Sequence, residues 1–207
     1  MHLPDGIIPM NQAIIYWIIS LIFLSLYLYK SSKLANNFKR IIIMAMFAAV
    51  TIVASSITIP SPFGVPIHFF IIPLVVFLLG PLSGIVVEFV CLLIQALFLG
   101  LGGIVCLGAN TMVIGVSISF VTYMFFKVIK DLNENFAIFC ATVLGIISAT
   151  IVQALILIIS GFTTLEIILS TLIPFYLFVA VVEGIITVII VNFIKKSNQE
   201  FINLEKI

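Results

Sequence analysis

All nine lysines and arginines of this 207-residue chain fall into three places. Lys30, Lys33, Lys39 and Arg40 form the first group, Lys127 and Lys130 the second, and Lys195, Lys196 and Lys206 the third. The stretches between them are apolar. Hydrophobic residues make up 63% of the chain and charged residues 8%, against roughly 25% charged in a soluble domain. The mean hydropathy is +1.41. So little polar surface cannot cover a water-soluble fold, and the chain is expected in a bilayer.

A membrane helix needs roughly 20 apolar residues. Candidate spans lie at about 11–29, 41–59, 66–79, 83–100, 109–126, 136–160 and 170–194. The polar or breaking segments "KSSKLANNFKR", "PSPFG", "GPLSG", "GLGG", "KVIKDLNEN" and "SGFTTLE" separate them. The third span is short and holds Pro73, which predicts irregular backbone there. At membrane depth such backbone is tolerated only against protein or a cavity.

Cytoplasmic loops collect Lys and Arg. Seven spans put all three basic groups on one side, and an even number does not. The expected fold class is therefore an all-α membrane protein of seven transmembrane helices, N-terminus outside and C-terminus cytoplasmic. It forms one integral membrane domain over 1–207. The spans run from about 11 to 194 and leave a short tail, 195–207. No cleavable signal is expected, because no positive charge precedes the first span.

Several functions are disfavoured. A net charge of +1 gives no basic surface for nucleic acid. Cys91, Cys106 and Cys140 form no CxxC pair and no disulfide framework. The glycine-rich "GLGGIVCLGAN" lacks the GKS or GKT ending of a phosphate loop and faces outward. The chain has no HExxH, which leaves a membrane enzyme a sparse catalytic set.

The chain opens "MHLPDG", and topology puts both histidines, His2 and His68, at the outer side. A second-position histidine has specific chemistry. The Met1 amine, the His2 backbone nitrogen and His2 Nδ1 can bind one metal together. The amine and amide close a five-membered ring, and the amide and Nδ1 close a six-membered one. Three nitrogens then lie roughly in a plane, with a fourth position open for His68. Such a set suits Ni(II) or Cu(II). The bulky His2 side chain favours retention of Met1. Pro4 and Gly6 let the segment turn back, and Asp5 can hydrogen-bond the His2 ring or cap the turn. Asn110 can cap the fifth span or bind the N-terminal segment. A frayed terminus and a purely structural His68 are the competing readings.

The same residues carry a family resemblance. "MHLPDG", "PIHFFIIPLVVFLLGPLSG", "LIQALFLGLGGIVCLGANTMVIGV" and "VVEGIITVIIV" together resemble the CbiM/NikM family. Its members are substrate-binding S-components of energy-coupling-factor importers for cobalt and nickel in prokaryotic plasma membranes, and the resemblance implies one helix, about 11–29, added before a six-helix core, about 41–194. The resemblance implies that Met1, His2 and His68 hold the ion, Ni2+ or Co2+, as transported ligand with no organic cofactor. It implies partners: a transmembrane coupling (T) subunit, two cytoplasmic ATPase subunits and a small accessory membrane subunit. ATP hydrolysis would belong to the partners. Leu101 in "GLGG" stands where relatives often carry His or Asp, which puts a polar role for that loop in question.

Ala45 and Ala49 form a small-xxx-small pair on the second span, a face that admits close helix approach. The resemblance implies contact with the coupling subunit there; internal packing is the alternative. Glu88 and Glu183 lie inside apolar spans, where carboxylates are costly and often functional. By topology neither is near the outer histidines, and neither is expected to be a ligand. A capture subunit for an organic vitamin is the alternative function. It predicts an aromatic, polar-lined pocket instead of a nitrogen chelate.

Overall fold

The computed structural model describes residues 1–32, 37–57 and 68–197. Lys33, Lys206, the "PSPFG" segment and the tail beyond Ser197 lie outside the described residues.

The described residues form seven helices and no strand. They are α1 (Met10–Ser31), α2 (Asn37–Ser56), α3 (Ile72–Leu79), α4 (Pro81–Leu99), α5 (Leu107–Ile129), α6 (Glu134–Ile159) and α7 (Leu165–Ser197). All but α3 are long and apolar enough to cross a membrane. Exposed side chains on α1 include Ile14, Ile15, Ile18, Leu21 and Ile22. An apolar outer surface of this kind is matched by lipid and not by water. Among the described polar residues, many are instead buried, including Ser20, Gln95, Asn110, Thr142, Gln153 and Glu183.

The third expected span is the one the structure alters. Its helix has eight residues. Ile71 ahead of it is left-handed, at φ 61°, and Pro73 sits in its first turn. Gly80, at φ 81°, ends α3, and Pro81 at the first position starts α4 at once. Glycine reaches that backbone without strain and proline pre-sets the next helix. Arg40 on α2 locks this corner by donating to the Leu79 carbonyl and, at 2.7 Å, to Ser83 Oγ. On the same side of the bundle Asn133 caps α6, accepting from the Phe136 amide at 3.0 Å, and Lys195 pairs with Glu134.

Three helices contain π-type turns, at Gln95–Leu99, Thr111–Ser117 and Ile168–Leu172. Such turns recur at functional sites, because one extra residue redirects the side chains around it. The first two flank the glycine-rich loop between α4 and α5: the first begins at the buried Gln95, and the second follows the buried Asn110.

Candidate metal centre

The N-terminal segment is not frayed. Met1 and Leu3 are 4% and 2% exposed and belong to the main hydrophobic core. Two hydrogen bonds hold Leu3 to one side chain: its amide donates to Asn110 Oδ1 at 2.8 Å, and its carbonyl accepts from Asn110 Nδ2 at 3.0 Å. This is the pairing of a β-ladder, made by a side-chain amide with a main chain. Asp5 Oδ1 accepts from the Cys106 amide at 3.0 Å, and Cys106 Sγ donates to the Pro4 carbonyl at 3.3 Å. The partner of Asp5 is thus the α4–α5 loop, where the sequence suggested the His2 ring or the turn of its own segment.

Glycine makes this seat possible. A Cβ on Gly103 would fall 2.0 Å from Asp5 Oδ1, and one on Gly102 would fall 3.2 Å from Asn110 Nδ2. Gly102 also has φ 76°. Trp17 on α1 fixes the loop from outside, donating Nε1–H to the Ile104 carbonyl at 3.1 Å. The Leu101 side chain is exposed and brings no polar atom to the loop; its amide donates to the Gln95 carbonyl at 3.2 Å. Gln95, Asn110 and the loop backbone supply the polar contacts.

The His2 ring is oriented by a relay. Ser55 Oγ donates to the Thr51 carbonyl and so accepts from Gln95 Nε2 at 2.7 Å. That arrangement turns Gln95 Oε1 toward His2 Nε2, at 2.9 Å. A carbonyl oxygen only accepts, so His2 Nε2 carries the proton and Nδ1 is left with its lone pair. Nδ1 is the nitrogen that closes the six-membered chelate with the His2 amide. Sequence reasoning does not connect Gln95 with His2. Its position after "LI" in a helix gave no sign of His2.

The second imidazole is close. The rings of His2 and His68 have centroids 5.2 Å apart, inclined at 58°. One ion bound at about 2 Å to a nitrogen of each ring fits that separation. His68 Nδ1 is buried without a hydrogen-bond partner, a cost the bundle carries unless something else satisfies it. Among the described residues no three His, Cys, Asp or Glu side chains gather into a metal cluster. A site here must draw on the terminus and the main chain.

The two titratable donors ahead of the first span are held uncharged. Burial pushes the Met1 amine down to about 5, against a smaller upward pull from Glu88. Burial and then the neighbouring amine push His2 down to about 4, against the upward effect of its Gln95 bond. Neutral nitrogens are what a metal ligand requires.

The two intramembrane carboxylates correct the topological expectation. Glu183 accepts from the amides of Phe70 and Ile71, both at 3.0 Å, two and three residues from His68. Glu88 is buried, felt by the Met1 amine, and adjacent to Gly115. Both lie near the histidines because the N-terminal segment and the residues before α3 enter the bundle. Counting loops by side cannot show that. Ala45 and Ala49 are exposed on α2.

Fold and site together define a multi-pass membrane protein in which the N-terminal segment enters the bundle and brings His2 to His68. Residues 2–201 match the family model described as cobalt uptake substrate-specific transmembrane region, CbiM. A cobalt transport protein CbiM of Thermosipho melanesiensis is 32% identical over 96% of this chain and 88% of its own length. A putative fused nickel transport protein NikMN of Archaeoglobus fulgidus is 32% identical over 98% of this chain and 68% of its own. A solved structure of a truncated transition metal transporter superposes with a TM-score of 0.85 at 23% identity, covering 96% of this chain and all of that one (100%). A second, described as the S component of a bacterial ECF transporter, gives a TM-score of 0.55 at 25% identity, covering 79% of this chain and 96% of that one. The chain belongs to the CbiM family.

Proposed function

We propose that the chain captures Co2+ or Ni2+ for ATP-driven import by an energy-coupling-factor transporter, as its substrate-binding S-component and not as an enzyme. The family and the transport names of its relatives support the metal and the role. The ECF transporter S component among its structural neighbours supports the transporter class. The observation that carries the site is the relay from Ser55 through Gln95, which leaves His2 Nδ1 bare beside a buried Met1 amine and opposite His68. In this reading the Met1 amine, the His2 amide and Nδ1, and one nitrogen of His68 form the ligand set. Asp5 and Asn110 seat the segment. Planar nitrogen ligation favours nickel over cobalt. Titrating the purified chain separately with the two ions tests this; equal affinity, or stronger cobalt binding, sinks the preference.

The lowered basicity of the donors sets a measurable proton count. With ordinary values, near 8 for the amine and 6.5 for histidine, binding at pH 7 would displace roughly two protons or more, the amide proton included. With the amine at about 5 and His2 at about 4, the amide proton is the main one left to be lost. Calorimetry in buffers of different ionisation enthalpy should therefore report about one proton released per ion. Affinity should fall about tenfold per pH unit on acidification, and more steeply below about pH 5, where the amine protonates. Release of two protons at pH 7 would contradict the buried amine.

We place the histidine end of the bundle outside and both Lys-rich corners in the cytoplasm, with α3 and the segment before it completing a seventh passage. The clustering of all nine basic residues supports this. Single cysteines at positions 4 and 198 should label from outside and from inside respectively; the reverse pattern removes the reading.

The partners in this reading are a coupling subunit, two ATPases and a small accessory membrane subunit. Ala45 and Ala49 are exposed on α2 and leave a close-approach face for the coupling subunit. Ala45→Leu with Ala49→Leu should cut co-purification with that subunit by about tenfold or more, at an overpacking cost of about 1–3 kcal/mol. Metal binding should be unchanged. Lost metal binding with intact assembly would place the face elsewhere.

A further inference from the structure

We propose that Glu183 is a positioning residue of the metal site: it fixes the turn at Phe70–Ile71 and, through it, the placement of the His68 ring. This rests on the reading of His68 as a ligand.

The segment 68–71 carries His68 into the bundle without regular structure, and α3 begins only at Ile72. The amides ahead of a helix have no acceptor within it. Here two successive ones, Phe70 N–H and Ile71 N–H, face the bundle interior and need an acceptor. Glu183, 2% exposed in the middle of α7, supplies one oxygen to each, Oε2 to Phe70 and Oε1 to Ile71, both at 3.0 Å. A carboxylate is suited to this, since it offers two equivalent acceptors in one plane.

The turn it holds is an unfavourable one. Ile71 has φ 61°, where a β-branched side chain is an outlier, so the surroundings must impose it. The same helix grips the segment a second time. Tyr176, two turns before Glu183, lies 6.3 Å from the Phe70 ring, and Phe70 meets the His68 ring edge-on at 5.4 Å and 77°. His68 then faces His2 at 5.2 Å. Glu183 thus acts on the backbone and Tyr176 on the ring of the same residue, Phe70. His68 itself has no hydrogen bond at Nδ1 to orient it. Its placement comes from this turn.

Both Glu183 oxygens are engaged by amides, so the residue positions a ligand and is not one. Glu183→Gln keeps the shape, retains one acceptor and sets an NH2 group against the other amide N–H. The turn should loosen and His68 should lose its fixed position.

The test is a double-mutant cycle on the full chain in lipid nanodiscs, titrated with Ni2+. Four forms are compared: native, Glu183→Gln, His68→Ala and the double variant. Glu183→Gln should weaken nickel binding by about 10- to 100-fold, the range for partners that orient metal ligands. In the His68→Ala background it should cost less than about twofold, because the group it positions is gone. The visible absorption band of nickel bound to Glu183→Gln should move toward that of His68→Ala. An equal loss in both backgrounds would show general structural damage and overturn the inference; no loss in either overturns it too. If His68→Ala binds as tightly as the native chain, the ligand reading itself falls and takes this inference with it. If Glu183→Gln does not fold, Glu183→Asp keeps the test intact. It is one methylene short of reaching both amides and should give the same pattern.

Discussion

Acetylating the Met1 amine should lower nickel affinity by roughly 10²–10³ while the helical bundle stays folded. Sites with four protein donors hold a divalent ion with about 10–16 kcal/mol, so one donor carries about 3–4 kcal/mol. That is two to three decades in affinity. Acetylation removes the amine as a donor and opens the five-membered ring, yet leaves His2, His68 and every side chain in place. Thermal unfolding of the metal-free chain checks the fold. An extension by one glycine tests the same chemistry differently. It moves histidine to position 3, where the terminus, two amides and the ring supply four nitrogens without His68. Nickel binding should then survive but become indifferent to His68→Ala. Unchanged affinity in the acetylated chain would show that the amine is not a ligand.

Six of the helices were legible because the physics behind them is local. Spans expected at about 11–29 and 136–160 are observed as Met10–Ser31 and Glu134–Ile159. Length, apolarity and flanking charge suffice for such elements. The stretch expected at about 66–79 was flagged as irregular by Pro73, and it is a short helix, Ile72–Leu79, behind a left-handed Ile71. What the sequence did not show is why that conformation persists. Its acceptor, Glu183, lies more than 110 residues away in the chain.

The site divides along the same line. Met1 and His2 follow from the chemistry of adjacent atoms; Met1 is buried and His2 half-buried. Asn110, which the sequence offers as a cap of the fifth span or a partner of the N-terminal segment, clamps Leu3 from both sides. Gln95 was missed because its function depends on a π-type turn, which aims it at His2, and on Ser55, which sets which end of its amide faces the ring. No local pattern encodes either. A buried Gln in an apolar helix is nonetheless a signal: an uncompensated amide there is costly, so a partner was to be sought.

The other large effect concerns the packing beneath the site. Gly108 opens α5 against the backbone of α1. A Cβ there would fall 2.5 Å from Trp17 N, 2.7 Å from Trp17 Cα and 2.8 Å from Tyr16 C. These are main-chain atoms of a continuous helix and cannot rotate aside. Ser20 Oγ also donates to the Gly108 carbonyl at 2.8 Å, a bond that needs the same close approach. Gly108→Ala should therefore cost near the upper end of the roughly 1–3 kcal/mol of an overpacked core. At about 2–4 °C per kcal/mol for a chain of this size, apparent unfolding should drop by about 6–12 °C. Nickel binding should weaken as well, because Asn110, two residues on, clamps Leu3. Gly115→Ala is the control: its Cβ would meet nothing nearer than 3.5 Å, and unfolding should move little. If Gly108→Ala and Gly115→Ala unfold together, α1 does not lie against α5 at this distance. The seat of the N-terminal segment would then have to be held by the α4–α5 loop alone.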